Sequence, residues 1–173
     1  SLPNIKIDKK RIISSTEALA LQEIPKHLMV VGGGVIGVEI GSVFARLGSK
    51  VSIVEYFDSL IAIMDGALGH QLHRSLRKQG IEFYLEHKVT EARTIDNKVQ
   101  VKDEDLSNKK EMSLECYCCL MAIGRNPYTA NLGLENIGVE INEKGLITVD
   151  ENLETNVKGV YAIGDVIRGE MLA

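Results

Sequence analysis

The sequence predicts an α/β protein of three layers, in which a parallel sheet has flanking helices and an antiparallel β-meander is inserted before the last core strand. Strand and helix patterns alternate over residues 27–85, and this alternation implies parallel strands joined by helical crossovers. Short strand patterns separated by polar turns follow over residues 89–116 and indicate the meander. With 173 residues, 45% hydrophobic and 25% charged, the chain has the composition of a soluble protein with a sizeable core.

The alternating part begins after a polar lead-in. Apolar residues at period two or at helical spacing, with glycines after two of the helices, define its elements. We expect a short strand at Ile12–Ile13, a helix over Ala18–Leu21 capped by residues 15–17, a strand at His27–Val31, a helix at Val35–Leu47 stopped by Gly48, a strand at Val51–Val54, a helix at Asp65–Lys78 closed by Gly80, and a strand at Ile81–Leu85.

The later part is predicted to be richer in strands. The meander is expected at Val89–Ile95, Val99–Lys102 and Glu111–Cys116, and the next core strand at Cys118–Ile123. Two further short strands are expected at Leu146–Val149 and Gly159–Ile163.

Charge and cysteine content exclude several classes of function. A net charge of −4 argues against nucleic acid or an anionic membrane as a partner, and the longest apolar run is too short to span a bilayer. No signal peptide is visible. The three cysteines are odd in number and closely spaced in the sequence. We expect Cys116 and Cys118 to share one strand face and Cys119 to point to the other. We interpret them as small buried residues in a reducing compartment, and expect a cytoplasmic location, or the mitochondrial matrix in a eukaryote.

A glycine-rich segment carries the strongest signal for function. Residues 32–37 fit G-x-G-x-x-G between a predicted strand and a predicted helix, which is the context that a dinucleotide-binding Rossmann unit requires. Gly32 is expected to make the tight turn, and Gly37 to let the helix pack closely on the sheet. Gly34 is expected to let a pyrophosphate approach in a turn that also demands the backbone freedom of glycine. The helix N-terminus offers unpaired N–H groups to the phosphates.

An acidic residue, Glu55, ends the next strand and predicts the choice of cofactor. Its carboxylate can accept hydrogen bonds from a ribose 2′-OH and would repel a 2′-phosphate, and no Lys or Arg follows among Tyr56, Phe57 and Asp58. NAD is therefore favoured over NADP. The fingerprint alone does not separate NAD from FAD.

The surrounding sequence resembles the dihydrolipoamide dehydrogenase family of flavoprotein pyridine nucleotide-disulfide oxidoreductases. The motifs that carry the resemblance run in order through essentially the whole chain, at residues 14–19, 32–43, 122–127, 131–134 and 161–166. One departure is Glu17, where the family is expected to have a small residue. The resemblance implies a lead-in from an FAD domain at residues 1–25, an NAD-binding Rossmann domain at 26–150, and a return to the FAD domain at 151–173.

The resemblance also implies cofactor-binding residues. Eight residues would contact the pyrophosphate and nicotinamide ribose of NAD, with Glu39 at the nicotinamide end: Gly32, Gly33, Gly34, Val35, Ile36, Gly37, Val38 and Glu39. Glu55 matches the adenosine-ribose carboxylate, Val89 an adenine-side contact, and Gly124 a backbone contact near the nicotinamide. Asp165 matches the aspartate near the flavin ribityl-phosphate, and Met171, Leu172 and Ala173 match a stretch that touches the flavin.

The resemblance implies that the parent enzyme reoxidises dihydrolipoamide through a disulfide and FAD and reduces NAD⁺. The parent is expected to be a homodimer that serves the lipoyl domains of 2-oxoacid dehydrogenase complexes. The family's C-x-x-x-x-C redox pair and catalytic His-Glu motif do not occur here, so we expect the chain to bind NAD(H) without turnover and to hold no catalytic residue. His70 and His73 lie one helical turn apart, but no third ligand is near them in sequence and no metal site is predicted.

Two alternatives stay open: the NAD domain of a sibling flavoenzyme (a soluble transhydrogenase, mercuric reductase or NADH oxidase), and a non-catalytic NAD-binding module.

Overall fold

A computed structural model describes residue 2 and residues 4–169, and within this part the chain forms a parallel sheet and an antiparallel sheet. The chain divides into two units, the first ending at Gly124 and the second starting at Arg125. The elements of the first unit, in chain order, are β1 (Ile12–Ile13), α1 (Ser15–Ala18), β2 (His27–Val31), α2 (Val35–Arg46), β3 (Lys50–Val54), α3 (Gly66–Lys78), β4 (Glu82–Tyr84), β5 (His87–Ile95), β6 (Lys98–Asp105), β7 (Glu111–Cys116) and β8 (Cys118–Met121).

The five-stranded sheet has the strand order β1-β8-β2-β3-β4 and is parallel throughout. The central strand β2 pairs with β3 on one side, with Leu28 opposite Val51, and with β8 on the other, with Leu28 opposite Cys118. β2 therefore lies between the strand that follows it in the sequence, β3, and the last strand of this sheet, β8, so the strand order reverses beside β2. In open α/β sheets, ligands bind outside the carboxyl ends of the strands at such a point.

The two faces of the parallel sheet are covered by different layers. On one face Val30, Ile53 and Leu120 pack with Val38 and Phe44 of α2, and with residues of α1 and α3. On the other face a second buried cluster joins the parallel sheet to the β5-β6-β7 meander, through Met29, Val31, Val54, Cys119, Val99 and Val101. The predicted fold class, an α/β parallel sheet with flanking helices and an antiparallel meander in three layers, is confirmed.

The ends of the two long helices follow from their capping residues. α2 starts directly after Gly34, and Gly48, at φ +94°, adopts the left-handed conformation that stops it. At the start of α3 the Asp65 carboxylate accepts a hydrogen bond from the Ala67 backbone N–H at 2.8 Å, and Gly80, at φ +86°, follows its end. Both helices were predicted within about one residue of these bounds.

The short helix α1 lies earlier than predicted. It covers Ser15–Ala18 instead of Ala18–Leu21. The reason is Glu17, whose carboxylate accepts hydrogen bonds from the Ser14 backbone N–H at 3.0 Å and from the Ser14 hydroxyl at 2.6 Å. This capping-box contact makes Ser14 the N-cap, so the helix begins at Ser15.

The prediction for the cysteine faces was wrong. Cys116 and Cys119 pack in the cluster on the meander face of the parallel sheet, and Cys118 packs on the helix face. The alternation fails because β7 ends at Cys116 and β8 starts at Cys118 in the other sheet. Tyr117, between them, donates its backbone N–H to the His27 carbonyl at 3.0 Å. All three thiols are buried and free.

The second unit contains little regular structure among its described residues. It has a one-turn helix, α4 (Leu134–Ile137), a 3₁₀ turn at Gly164–Val166, and a small core of Val139, Ile147 and Ala162. The strands predicted at 146–149 and 159–163 are not formed there. Their residues make single bridges, Ile141 to Ile147, Val149 to Thr155 and Glu154 to Tyr161, because no continuous neighbouring ladder extends them. Over the described range, no helix combines the length and apolar character needed to cross a membrane.

Candidate dinucleotide-binding site

Three chain segments meet at the carboxyl edge of the parallel sheet. β2 runs into Gly32, β3 runs into Glu55, and β8 runs into residues 122–124. The Gly32 N–H donates to the Val54 carbonyl at 2.8 Å, and the Ala122 N–H donates to the Val31 carbonyl at 2.8 Å, so both neighbouring segments are tied to the end of β2. The predicted fingerprint glycines, Glu55 and Gly124 therefore lie along one edge.

Gly32 is required by both conformation and space. Its φ of +110° is one that side chains of L-residues rarely adopt. A Cβ atom at this position would overlap the Ala122 carbonyl group. Gly32 therefore makes the strand-to-helix turn, as predicted, and also allows the chain after β8 to approach it.

Gly34 and Gly37 are glycines for different reasons. A Cβ at Gly37 would overlap the Gly32 carbonyl oxygen and lie 3.1 Å from Val30 Cγ1, so this glycine lets α2 sit close to the turn and the sheet. Gly34 is exposed, and a Cβ there would meet no atom within 4 Å. Its φ of −73° and ψ of 178° are open to any residue, so the predicted need for glycine's backbone freedom at this position was wrong. What Gly34 preserves is open space in front of the helix.

The N-terminus of α2 faces this open space. The helix has 12 residues, and its N-cap, Gly34, has no side chain to bond the free amides of the first turn, at Val35, Ile36 and Gly37. These amides and the helix dipole stabilise an anion placed beside Gly34. A pyrophosphate fits both the space and the charge.

Glu55 is buried at the end of β3, with 8% of its surface exposed, and backbone groups hold its carboxylate. One oxygen, Oε2, accepts the Gly33 N–H in a short hydrogen bond, and the other, Oε1, accepts the Phe57 N–H at 2.8 Å. Each carboxylate oxygen can accept a further bond, so the group is an oriented acceptor for hydroxyl donors. Glu55 thus joins the glycine-rich turn directly to the next strand.

The loop after Glu55 contributes two residues, Leu60 and Ile61, that were not predicted from the sequence. The Ile61 N–H donates to the Gly33 carbonyl at 2.9 Å, and a Cβ on Gly33 would lie only 2.8 Å from Leu60 Cδ2. Ile61 adopts φ +44°, a strained conformation for a β-branched residue, so the surrounding contacts fix it.

The other predicted NAD contacts occupy varied environments. Glu39 and Gly124 are exposed, and Gly124, at φ +131°, has no atom within 4 Å of an added Cβ. Val38 is buried in the core beneath α2. Val89 lies on β5 with 7% of its surface exposed, and its side chain belongs to the core between the sheets.

The predicted flavin contacts belong to the second unit. Asp165 lies in the 3₁₀ turn and forms an ion pair with Arg125, a residue of the motif at 122–127 for which no separate role was predicted. Met171, Leu172 and Ala173 lie outside the described residues. Among the described residues no group of three or more possible metal ligands occurs, and His73 stacks edge-on against Phe83 at 4.6 Å between ring centroids.

Comparison with known proteins gives the same family by sequence and by structure. Residues 2–173 match the family described as pyridine nucleotide-disulphide oxidoreductase. The chain is 47% identical to a mitochondrial dihydrolipoyl dehydrogenase of Pisum sativum and 49% identical to a leghemoglobin reductase of Vigna unguiculata. It is aligned over its full length in both cases and covers 34% and 33% of those proteins. It therefore spans about a third of the length of the curated relatives it matches.

Solved structures give a similar result. The HOCl-induced flavoprotein disulfide reductase RclA from Escherichia coli matches 99% of the chain with a TM-score of 0.85 and 35% identity, and the chain covers 38% of it. LpdA from Mycobacterium tuberculosis matches 96% of the chain with a TM-score of 0.84 and 29% identity, and the chain covers 35% of it. With the family match over nearly every residue, these findings mean that the chain belongs to the pyridine nucleotide-disulphide oxidoreductase family.

Proposed function

We propose that this chain is the NAD(H)-binding part of a dihydrolipoyl dehydrogenase. The observation that carries the proposal is the Glu55 carboxylate, which lies beside the glycine-rich turn and is held there by the N–H groups of Gly33 and Phe57. Within the proposed site, the open space at Gly34 takes the pyrophosphate, the free amides of α2 neutralise its charge, and Glu55 accepts the hydroxyl groups of the adenosine ribose.

The preference for NAD over NADP follows from the charge and burial of Glu55. An anionic carboxylate attracts the hydroxyl donors of a ribose, and it repels the two negative charges of a 2′-phosphate strongly at a buried position. The residues that follow, Tyr56, Phe57 and Asp58, bring no cation to offset this repulsion. Glu55 therefore acts as the residue that selects the cofactor.

The whole protein would combine this site with FAD and a redox disulfide. FAD, when bound, accepts electrons from the disulfide centre and passes them as hydride to the nicotinamide. The residues of this chain that would face it are Asp165, which Arg125 orients, and residues 171–173. Residues 1–25, 26–150 and 151–173 are proposed as the lead-in, the NAD domain and the start of the return to the FAD domain.

Partners and location are proposed from the relatives. Lipoyl domains of 2-oxoacid dehydrogenase complexes would deliver dihydrolipoamide to the whole protein, acting as a homodimer. The relatives whose names state a location are mitochondrial, which favours the mitochondrial matrix over the cytoplasm.

A sibling flavoenzyme is the second candidate. It is favoured by the match at 35% identity to a flavoprotein disulfide reductase named for its induction by HOCl. In that case the NAD site is the same and the substrate that reacts with the disulfide differs.

The test is a pair of titrations that follow the fluorescence of NADH and NADPH. The reduced nicotinamide is excited at wavelengths longer than those at which the tyrosines and phenylalanines of this chain absorb, so the signal comes from the dinucleotide alone. We expect saturable NADH binding that is at least about tenfold tighter than NADPH binding, equivalent to about 1.4 kcal/mol. Equal binding of the two, or tighter NADPH binding, contradicts the proposal.

The purified chain is also expected to be colourless and to show no dihydrolipoamide-dependent reduction of NAD⁺. A yellow preparation with turnover would contradict the expectation that this chain alone binds the dinucleotide without catalysis.

A further inference from the structure

A buried polar pair, His87 and Asp103, joins the first two strands of the antiparallel meander. His87 is the first residue of β5, and its Nδ1 hydrogen-bonds to the carboxylate of Asp103 on β6. Asp103 is 1% exposed, and its second oxygen, Oδ1, has no hydrogen-bond partner within the described part of the chain. Asp105, opposite His87 on β6, has an oxygen 4.0 Å from His87 Nε2.

Packing alone does not explain the pair. The neighbouring buried positions of the meander, Val89, Ala92, Val99 and Val101, are all apolar. A buried carboxylate with an unsatisfied oxygen costs free energy, and apolar residues of similar volume are often as stable as a buried ion pair or more so. The pair is therefore better explained by the orientation it imposes than by its contribution to stability.

The orientation is passed to Glu55 through the main chain. The backbone N–H of His87 donates to the Glu55 carbonyl at 2.9 Å, and the Glu55 N–H donates to the Tyr84 carbonyl at 2.8 Å. The Tyr84 and His87 rings contact each other edge-on, with centroids 5.7 Å apart. Glu55 is thus held on both sides of its main chain by Tyr84 and His87.

The segment between these two residues is also constrained. The Glu86 N–H donates to the Phe57 carbonyl at 3.0 Å, and Glu86 has the left-handed φ of +56°. Phe57 is the residue whose own N–H binds the Glu55 carboxylate. A change in the position of His87 is therefore transmitted to both the main chain and the side chain of Glu55.

We propose that His87, fixed by its hydrogen bond to the buried Asp103, is a positioning residue that sets the place of the Glu55 carboxylate and thereby the discrimination between a ribose 2′-hydroxyl and a 2′-phosphate. The inference rests on the proposed function, since it assigns a second layer of residues to the same site. Neither His87 nor Asp103 contacts the cofactor in this proposal.

The experiment measures the NADPH-to-NADH ratio of dissociation constants in the wild-type chain and in four variants. His87→Ala removes the donor to Asp103 and is expected to lower the ratio about fivefold. His87→Asn places an amide N–H where Nδ1 lies, keeps the donor, and is expected to restore most of the ratio. Asp103→Asn replaces the carboxylate by a weaker acceptor of similar size, so it opens no cavity, and it is expected to lower the ratio about twofold. This variant keeps the proposal testable if His87→Ala does not fold.

The matched control is Val101→Ala, which removes buried volume from the strand that carries Asp103. It is expected to lower thermal stability and leave the ratio unchanged. An unchanged ratio in His87→Ala or in Asp103→Asn, or an equal fall in Val101→Ala, overturns the positioning role. If the wild-type chain shows no preference for NADH, the proposed function fails and this inference with it. A wild-type preference that His87→Ala leaves intact overturns this inference alone.

Discussion

The backbone N–H of Gly33 donates a hydrogen bond to the carboxylate of Glu55, so a single side chain joins the glycine-rich turn to the end of the neighbouring strand. The second carboxylate oxygen is held by Phe57. Glu55 therefore has a fixed orientation before any ligand binds.

Replacement Glu55→Gln is expected to reduce the preference for NADH. Glutamine keeps one acceptor oxygen and the side-chain shape but loses the charge, so NADH binding weakens by about five- to tenfold while NADPH binding is unchanged or tighter. Fluorescence titration with both dinucleotides measures the change. Glu111→Gln, an exposed change of the same kind on β7, serves as the control, and an unaltered preference in Glu55→Gln would count against the role of this residue.

Replacement Gly34→Val is expected to abolish NADH binding in a folded chain. The position has ordinary backbone angles and empty space, so the fold tolerates the side chain, which then occupies the space proposed for the pyrophosphate. The matched control is Gly66→Val at the start of α3, where an added Cβ also meets nothing within 4 Å. Circular dichroism checks both folds, and unchanged NADH affinity in folded Gly34→Val would remove the glycine-rich turn from the site.

Two alanine substitutions in α2 are expected to have opposite effects on stability. Gly37→Ala places a Cβ against the Gly32 carbonyl and lowers the free energy of unfolding by about 1–3 kcal/mol. Gly41→Ala makes ordinary contacts of 3.4–3.6 Å with Ile53, Val51 and Val30, and raises it by about 0.5–1 kcal/mol because alanine is the better helix former. Urea denaturation measures both, and a Gly37→Ala variant as stable as the wild type or more stable would contradict the close approach at Gly37.

His27 is expected to make stability depend on pH near neutrality. Burial, together with the charge of Lys50, lowers the pKa of His27 below its ordinary value of 6.5, although Glu82 opposes the shift. The folded state therefore binds fewer protons than the unfolded state, so stability is complete above about pH 6.5 and falls as the pH drops toward the lower folded pKa.

Denaturation midpoints between pH 5.5 and 8 measure this effect. His27→Gln keeps a donor to the Ser52 hydroxyl, 2.9 Å from the ring nitrogen, and is expected to flatten the pH dependence. His73, whose pKa burial also lowers, contributes in the same direction, so the double variant with His73→Gln should be flatter still. A wild-type midpoint that rises on acidification through this range would contradict the sign.

The three thiols are expected to be unreactive in the folded chain. Burial raises the pKa of Cys118 to about 12, and a hydrogen bond with Cys116 together with burial raises the pKa of Cys119 well above its ordinary value. A thiol-disulfide reagent at pH 8 should label the native chain at least about a hundredfold more slowly than the denatured chain, because the thiolate is the nucleophile. Three thiols should appear in denaturant, and rapid native labelling would contradict the buried arrangement.

The features predictable from the sequence are those fixed by local pattern. The strand at His27–Val31, the helix that begins after Gly34 and the acidic strand end at Glu55 each follow from residues within a short window, and the three-layer arrangement follows from their order. Features that depend on distant partners were not predictable. The ion pair of Arg125 with Asp165 and the bond between His87 and Asp103 join residues that no spacing rule connects.

The wrong predictions have the same origin. The assignment of cysteine faces assumed one continuous strand, but Tyr117 marks the point where the chain leaves one sheet for another. The segments at 146–149 and 159–163 have strand-like composition, yet a strand also needs a neighbour to pair with along its length.

The position of β8 has a consequence for synthesis on the ribosome. β8 is the last strand of the parallel sheet to be made, yet it pairs with both β1 and β2, which are made first and do not pair with each other. The emerging chain can join β2, β3 and β4, but β1 has no partner in that sheet until Cys118–Met121 leaves the exit tunnel. The edge of β2 that receives β8 is open for the same interval, and an unpaired edge of this kind is where nascent chains associate with one another. Completion of the carboxyl edge of the parallel sheet, where Gly32 meets Ala122, is therefore a late event in the maturation of this chain.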